Sequence, residues 1–342
     1  MIKLNEKGIV ELFVSRLIKS ASKGIRDDVV IIPHKIRQSK VNLVLKCDML
    51  VESTDVPHLM HPGQIARKSV IASISDFASK GVKPRHCIIS VGIPKTYSKN
   101  NLQKLITGFK KVSKEYGVDI VGGDTNESKE LVIDCSLVGL TNTDQIPRRY
   151  GARPGDLVVV SGEFGYTSSG FKIINTKCLA TRKFKTRALS SILQPKPNFG
   201  LGLTLSDFFS SSMDSSDGLA TTLYELADQS GVDFLITSLP TSNDVHHFAS
   251  SNSINVEDLV FFGGEEYETV ATVRKSNFKK MELIAAKKNI RMYVIGEVIR
   301  GMGNVYLLCD NDSKNNKSKI QKRRLLKNRG FMHFRSNNNK QK

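Results

Sequence analysis

At 342 residues the chain is long for one hydrophobic core, and two domains of ordinary size are expected. Its apolar runs fall well short of the roughly 18 residues that span a bilayer, and its first residues lack the apolar centre of a signal peptide, which points to the cytoplasm. Five scattered cysteines without a CxxC pair argue against a disulfide framework or a structural zinc site, and the formal charge of +18 directs attention to phosphate-bearing ligands.

In chain order, Ile9, Leu12, Phe13 and Leu17 recur at helical spacing and predict a first helix. GIRDDVVIIP then leads from two acids into a β-branched run closed by Pro33. Residues Val41 to Leu45 alternate as a strand that delivers Asp48 at its far end. Gln64 to Lys80 reads as a helix with Ile71, Ile74, Phe77 and Ala78 as its apolar stripe, stopped by Gly81 and followed by Pro84. Its neighbouring face carries Ala72, Ser73, Asp76 and Ser79, small residues that leave room around one acid. A further helix is predicted over Asn100 to Tyr116, then a strand in DIVGGD entering a glycine turn, then a strand over 131–140. RRYGARPGD breaks the pattern with Gly151, Pro154 and Gly155, so the domain boundary is placed near residue 150, giving 1–150 and 151–342.

Beyond that break, LVVVSGEFGYTSSGFKII reads as a strand, a glycine-rich loop and a helix start. Gly162, Gly165 and Gly170 in this loop could let backbone N–H groups approach a polyphosphate, although glycine also makes ordinary turns. A helix from Leu219 to Asp228 closes near Gly231 and is followed by the strand DFLI. FFGGEEYETVATV gives a loop and strand, Phe278 to Lys288 a helix, and MYVIGEV a strand. Strands and helices alternate throughout, so the fold class is α/β (α+β). The basic residues cluster: residues 313–342 hold eleven Lys or Arg and no acid, and residues 172–187 also lack acids. A solvated basic surface and tail is favoured over nucleic-acid binding, because no aromatic-interleaved RNA-binding signature accompanies the charge.

Seven acids stand out: Asp27, Asp28, Asp48, Asp76, Asp124, Asp214 and Asp217. Each lies beside apolar chain, where a lone buried carboxylate is costly unless it is paired or bound to a cation. Taken singly, each also serves as a cap or turn residue: Asp124 can start a turn in GGDT, and Asp217 can cap the helix that follows Gly218. As a set, set beside glycine and serine, they suit Mg²⁺, which takes carboxylates from separate loops together with substrate phosphates. No His-rich spacing supports zinc. P-loop, Rossmann and protein-kinase motifs are absent.

The collinear order DD, CDMLVESTD, SDFASKGVKP, VGGDT, SGEFG, MDSSDGL and GGEEYE, closed by GFMHF, resembles the thiamine-monophosphate kinase family in an archaeal-type variant. That family belongs to the superfamily of aminoimidazole ribonucleotide synthetase, and the resemblance runs from about Gly24 to Phe334. It implies a cytoplasmic, ATP- and Mg²⁺-dependent enzyme of thiamine biosynthesis. This enzyme transfers the γ-phosphoryl group of ATP directly and in line to thiamine monophosphate, giving thiamine diphosphate. It implies a two-domain aminoimidazole ribonucleotide synthetase-like fold, whose N-terminal domain binds ATP and Mg²⁺ and forms a dimeric β-barrel. A C-terminal α/β domain closes over the cleft, and the protein is a homodimer without membrane or nucleic-acid partners. Residue by residue, Asp28, Asp48, Asp76, Asp124, Asp214 and Asp217 match the magnesium-binding acids, with catalysis assigned to Asp124 and Asp214. Gly123, Asp124, Arg149 and Ser216 match ATP contacts, and Asp55, Glu265 and Phe331 match substrate positions.

The chain departs from the family pattern at several points. Arg26 stands for a glycine, Lys46 and Cys47 stand for small hydroxyl residues, and Asp55 stands for a histidine. Glu266 replaces an aspartate, and Phe331 replaces a tyrosine. Two alternatives stand beside the kinase: another ATP-dependent synthetase or kinase of the superfamily, or a non-catalytic, nucleic-acid-binding relative. The first forty residues hold no cysteine and the chain ends in NNNKQK, which disfavours selenophosphate-synthetase and hydrogenase-maturation readings.

Overall fold

The computed structural model describes residues 27–36, 39–143, 145–309 and 322–330, which form two sheets and the helices packed on them. The helix expected around Ile9 to Leu17 lies outside the described residues, as does Phe331. The first sheet contains β1 (Val30–Ile36), β2 (Ser39–Val51), β3 (Pro84–Ile93), β4 (Asp119–Glu127) and β5 (Val132–Thr141), in the order β1-β2-β5-β3-β4. All neighbouring pairs are antiparallel except β3 with β4. Pro33 does not close the first strand as expected. It pairs opposite Asn42 in the middle of β1, an edge strand, where a missing N–H is tolerated. Likewise β2 continues through Asp48 to Val51, and β4 continues through its glycines to Glu127, so neither the strand end at Asp48 nor the turn after DIVGGD is found.

Between β2 and β3 lie a single turn α1 (Glu52–Asp55) and the long α2 (Pro62–Ser79), and α3 (Lys99–Tyr116) connects β3 to β4. Pro62 starts α2 at the position where its missing N–H costs nothing, and the Gln64 Oε1 accepts from the His61 N–H. Gly81 ends it at φ +66. Ser98 caps α3 through the Asn101 N–H, and left-handed Gly117 closes it. Alternate residues Ile133, Cys135 and Leu137 of β5 are buried beneath α2, with Val44 and Cys87 on the same face. The opposite face leaves Ile32, Met49, Ile88 and Leu140 exposed. This sheet is open in the single chain, with β1 and β4 as free edges, so the barrel expected of this half is not closed here.

The second sheet comprises β6 (Asp156–Val160), β7 (Phe209–Ser215), β8 (Asp233–Ile236), β9 (Glu268–Arg274), β10 (Tyr293–Ile299), β11 (Val305–Leu308) and β12 (Arg323–Leu325). Their order is β12-β11-β8-β10-β6-β9-β7. Its helices are α4 (Tyr166–Asn175), α5 (Arg182–Leu193), α6 (Phe199–Leu205), α7 (Leu219–Ser230), α8 (Asn243–Ser251), α9 (Val256–Phe261) and α10 (Lys275–Lys287). Val158 and Val160 face a core with α7 and α9, while Val159 faces another with α6 and α10. Burial on both faces explains the uninterrupted valine run of β6. Part of the basic C-terminal stretch is a strand: β12 pairs with β11, and Arg324 and Arg329 pair with Glu257 and Asp258.

The two halves meet along α2. Its residues are buried almost all round, because one side lies on the first sheet and another on β7, β9 and α6. The crossing with α6 is close enough that a Cβ at Gly202 would lie 1.6 Å from the Ala78 carbonyl oxygen.

Candidate active site

The α2 sequence SISDFASK places Ser75, Asp76, Ser79 and Lys80 at the junction of the halves. The strand parity of β2 turns Lys46 and Asp48 toward them. Asp214 reaches the same place from the end of β7, and Asp28 from the segment before β1. Oxygens of Asp28, Asp76 and Asp214 lie within 4.8 Å of one another, and all three residues are buried. Ser75 Oγ donates to Asp214 Oδ2 at 2.7 Å, and Ser73 Oγ donates to Asp48 Oδ2 at 2.8 Å.

Three cations serve these acids. Lys80, with no exposed side-chain surface, bridges Asp27 Oδ1 at 2.7 Å and Asp28 Oδ2 at 2.8 Å, and donates to the Ser212 carbonyl at 2.7 Å. Arg149 grips Asp28 Oδ1 through Nε at 2.6 Å and Nη2 at 2.5 Å. Lys46 Nζ lies 2.7 Å from Asp76 Oδ2 and 3.1 Å from Asp48 Oδ1. Burial alone would raise the Asp28 carboxyl, yet Lys80 and Arg149 outweigh it and hold it below its ordinary value. Burial pushes Asp76 well above the carboxylate range, opposed by Lys46 and reinforced by Asp214 and Asp48. Burial, with the Asp28 charge, pushes Asp214 up to about 6. Asp48, Asp76 and Asp214 thus share one ammonium, and the surplus negative charge is what a divalent cation matches. The donors facing it are carboxylate and hydroxyl oxygens, the set a hard cation such as Mg²⁺ takes, so these residues fit the metal that the motifs imply.

Beside this cluster opens a cleft of ≈ 890 Å³ lined by Asp55, Ser216, Asp217, Glu265, Tyr267 and Arg329, among others. The run from Asp214 to Asp217 leads from the cluster into the cleft. The GGEEY loop is pinned onto it by Glu265 N–H donating to the Ser216 carbonyl at 2.6 Å and Tyr267 N–H donating to the Ser215 carbonyl at 3.0 Å. Glu265 and Tyr267 have φ of +65 and +54, a left-handed backbone that costs side-chain-bearing residues on the order of 1–3 kcal/mol each and clusters at functional sites. Lys68 Nζ donates to Glu265 Oε1 at 2.6 Å and to the Asp55 carbonyl. Burial, partly offset by Lys68, raises the Glu265 carboxyl. Asp55 Oδ2 accepts from the Val51 N–H at 2.7 Å and so closes its own turn.

The expected residues therefore divide. Asp28, Asp76 and Asp214 converge, and Asp48 joins them through Lys46 and Ser73. Ser216, Asp217, Asp55 and Glu265 meet in the cleft. Asp124 and Gly123 stand apart from the buried trio on the exposed strand β4. There Asp124 Oδ1 accepts from the Thr125 N–H, and a Cβ at Gly123 would lie 1.9 Å from the Ile89 carbonyl oxygen. Arg149 reaches the cluster, with Nε and Nη2 committed to Asp28.

Two N–H groups of the glycine-rich loop are already taken by a carboxylate of the chain itself. The Glu266 carboxylate accepts from the Gly165 N–H at 2.7 Å and the Thr167 N–H at 3.3 Å, so the start of α4 carries its own anion. Its glycines serve packing instead: a Cβ at Gly162 would strike the Glu268 carboxylate, and one at Gly170 the Ala188 carbonyl. Lys68, Lys80 and Ser75 were not anticipated as site residues. For the two lysines the available signal is that most of α2 is apolar or small, so a lysine in it or at its end tends to be buried and must then be paired.

Known proteins resemble this chain in sequence and in fold. The family described as AIR synthase related protein, N-terminal domain, matches residues 26–141. The thiamine-monophosphate kinase of Nitrosopumilus maritimus (strain SCM1) is 39% identical over 335 residues, covering 98% of this chain and 100% of that protein. That of Pyrococcus horikoshii is 31% identical, covering 90% of this chain and 92% of its own. Among solved structures, AaThiL complexed with AMPPCP and TMP is similar with a TM-score of 0.80 at 26% identity, covering 98% of each chain. The HypE–HypF complex shares the fold at a TM-score of 0.67 and 21% identity, over 93% of this chain and 98% of that one. From the collinear motifs, the convergent acids and these likenesses, the chain belongs to the thiamine-monophosphate kinase family.

Proposed function

We propose that this chain phosphorylates thiamine monophosphate with ATP, giving thiamine diphosphate by direct in-line transfer. The observation that carries the reading is a buried acid cluster continuous, through Asp214 to Asp217, with a cleft large enough for a phosphorylated small molecule. Support comes from the 39% identity to the Nitrosopumilus maritimus kinase and from the likeness to AaThiL, which was solved with AMPPCP and TMP.

Asp28, Asp48, Asp76 and Asp214 would hold Mg²⁺, with Asp217 and Asp124 as further ligands contributed from the cleft and from β4. When bound, Mg²⁺ supplies neutralisation of phosphate charge and polarisation of the transferring group. The chain's own residues do the rest. Lys80 and Arg149 fix Asp28, Ser75 fixes Asp214, and Ser73 fixes Asp48, so the carboxylates are oriented before nucleotide arrives. Ser216 and the Gly123–Asp124 backbone meet the nucleotide. Glu265, held by Lys68, and Asp55 frame the thiamine phosphate, with Phe331 as the stacking residue. The acceptor phosphate is largely ionised at neutral pH, so no general base is required and alignment dominates.

The protein acts in the cytoplasm as a homodimer with a boundary between its two domains near residue 150. The exposed apolar face of the first sheet, carrying Ile32, Met49, Ile88 and Leu140, pairs with its twin to close the barrel. The direct test is incubation of the full chain with ATP, Mg²⁺ and thiamine monophosphate, with the products separated and identified. Thiamine diphosphate is expected; turnover only with a different phosphate ester would replace the acceptor assignment.

A further inference from the structure

Lys46 occupies an unusual place for a lysine. It sits two residues before Asp48 on β2, so both side chains leave the same face of the strand. Its ammonium stands between acids of two different elements, 3.1 Å from Asp48 on the strand and 2.7 Å from Asp76 on α2. Carboxylates converging from separate elements are what a divalent ion collects, and here a side-chain cation already bridges two of them. Lys80 makes a useful contrast. It is sealed at the junction and tied to Asp27, Asp28 and the Ser212 carbonyl, the pattern of a structural clamp. Lys46 retains 20% of its side-chain exposure and bonds only cluster acids among the contacts described.

We propose that Lys46 is a resident cation of the site: its ammonium stands between Asp48 and Asp76 in place of one divalent ion, so the chain loads one Mg²⁺ fewer than its acids would hold alone. This inference rests on the reading that the acid cluster binds divalent ions. An ammonium at that place cannot dissociate, and it carries half the charge of the ion it replaces. The cluster therefore keeps part of its neutralisation when metal is stripped away, and the remaining ions bind acids whose geometry the lysine has already set.

The test counts bound ions rather than turnover. Mn²⁺ is titrated into the full chain with a non-hydrolysable ATP analogue, and free Mn²⁺ is followed by its EPR signal. The chains compared are the wild type, Lys46→Ser, which opens the position, and Lys46→Arg, which keeps the charge. The expected result is one additional Mn²⁺ per chain in Lys46→Ser and the wild-type number in Lys46→Arg. Equal numbers in the wild type and Lys46→Ser would overturn the inference while leaving the metal reading intact. No Mn²⁺ bound by any of the three would overturn the metal reading itself, and the inference with it. Should Lys46→Ser fold poorly, Lys46→Met, which keeps the stem and removes the charge, is melted in chelator and in Mn²⁺. A melting temperature below wild type in chelator, with a larger rise on adding Mn²⁺, supports the resident cation; identical melting in chelator contradicts it.

Discussion

Lys80 has no exposed side-chain surface, and its ammonium is shared by Asp27, Asp28 and the Ser212 carbonyl. Removing one partner of a buried charge network leaves the others in low dielectric without compensation, at a cost of about 3–5 kcal/mol. Lys80→Met is therefore expected to lose stability on that scale in urea denaturation of the full chain; a loss below about 1 kcal/mol would mean that the two aspartates find other partners. At this scale the sequence reading was strongest for acids and weakest for their counter-ions. An aspartate beside serine or glycine stands out in a line of text. Whether Lys46 or Lys80 pairs with it depends on which strand face and which helix turn meet in space, and neither is local information. Glu266 was likewise read only as a replacement, because its bonds to Gly165 and Thr167 span about a hundred positions of chain.

At the scale of elements, β9 begins on a half-buried carboxylate, Glu268. Burial raises Glu268 to about 7 from an ordinary 4.5, although Ser161 Oγ donates to it. The folded chain holds this proton after the unfolded chain has released it. The stabilisation is complete below about pH 4.5 and is lost as pH rises through about 7. Glu268→Gln removes that slope, so its melting temperature should gain on the wild type between pH 4.5 and 8; a difference that does not change with pH would contradict the assignment.

Three long helices were legible to within about three residues: Gln64 to Lys80 against Pro62–Ser79, Asn100 to Tyr116 against Lys99–Tyr116, and Phe278 to Lys288 against Lys275–Lys287. The short α1, α6 and α9 were not, because fewer than about two turns give no period to read, and the longer α5 and α8 were not read either. The serine-rich β7 shows no apolar alternation, since its buried Ser211 and Ser212 are satisfied by Thr272 and the Ser79 carbonyl.

For the whole molecule, the first sheet buries one face under α2 and α3 and leaves apolar residues on the other, with β4 exposed along its length. In the proposed homodimer a second copy would cover that face, which would account for the apolar residues there. Ile88→Lys is expected to shift the protein from dimer to monomer in size exclusion with light scattering; a wild-type chain that is already monomeric at micromolar concentration would contradict the arrangement. The family was legible because seven short motifs fall in a fixed order along nearly the whole chain, whereas the uncovered face of the sheet was not legible from its residues, because an apolar strand face reads the same whether a helix or a partner covers it.

The acids at the junction of the two halves are proposed to organise phosphoryl transfer to thiamine monophosphate. This role is tested most directly by steady-state formation of thiamine diphosphate from ATP and thiamine monophosphate at saturating Mg²⁺, in the wild type, Asp214→Asn and Asp55→Ala. Turnover is expected in the wild type, with a loss on the order of 10²-fold or more in kcat for Asp214→Asn and a much smaller loss for Asp55→Ala. Equal, mild effects of the two substitutions would contradict it.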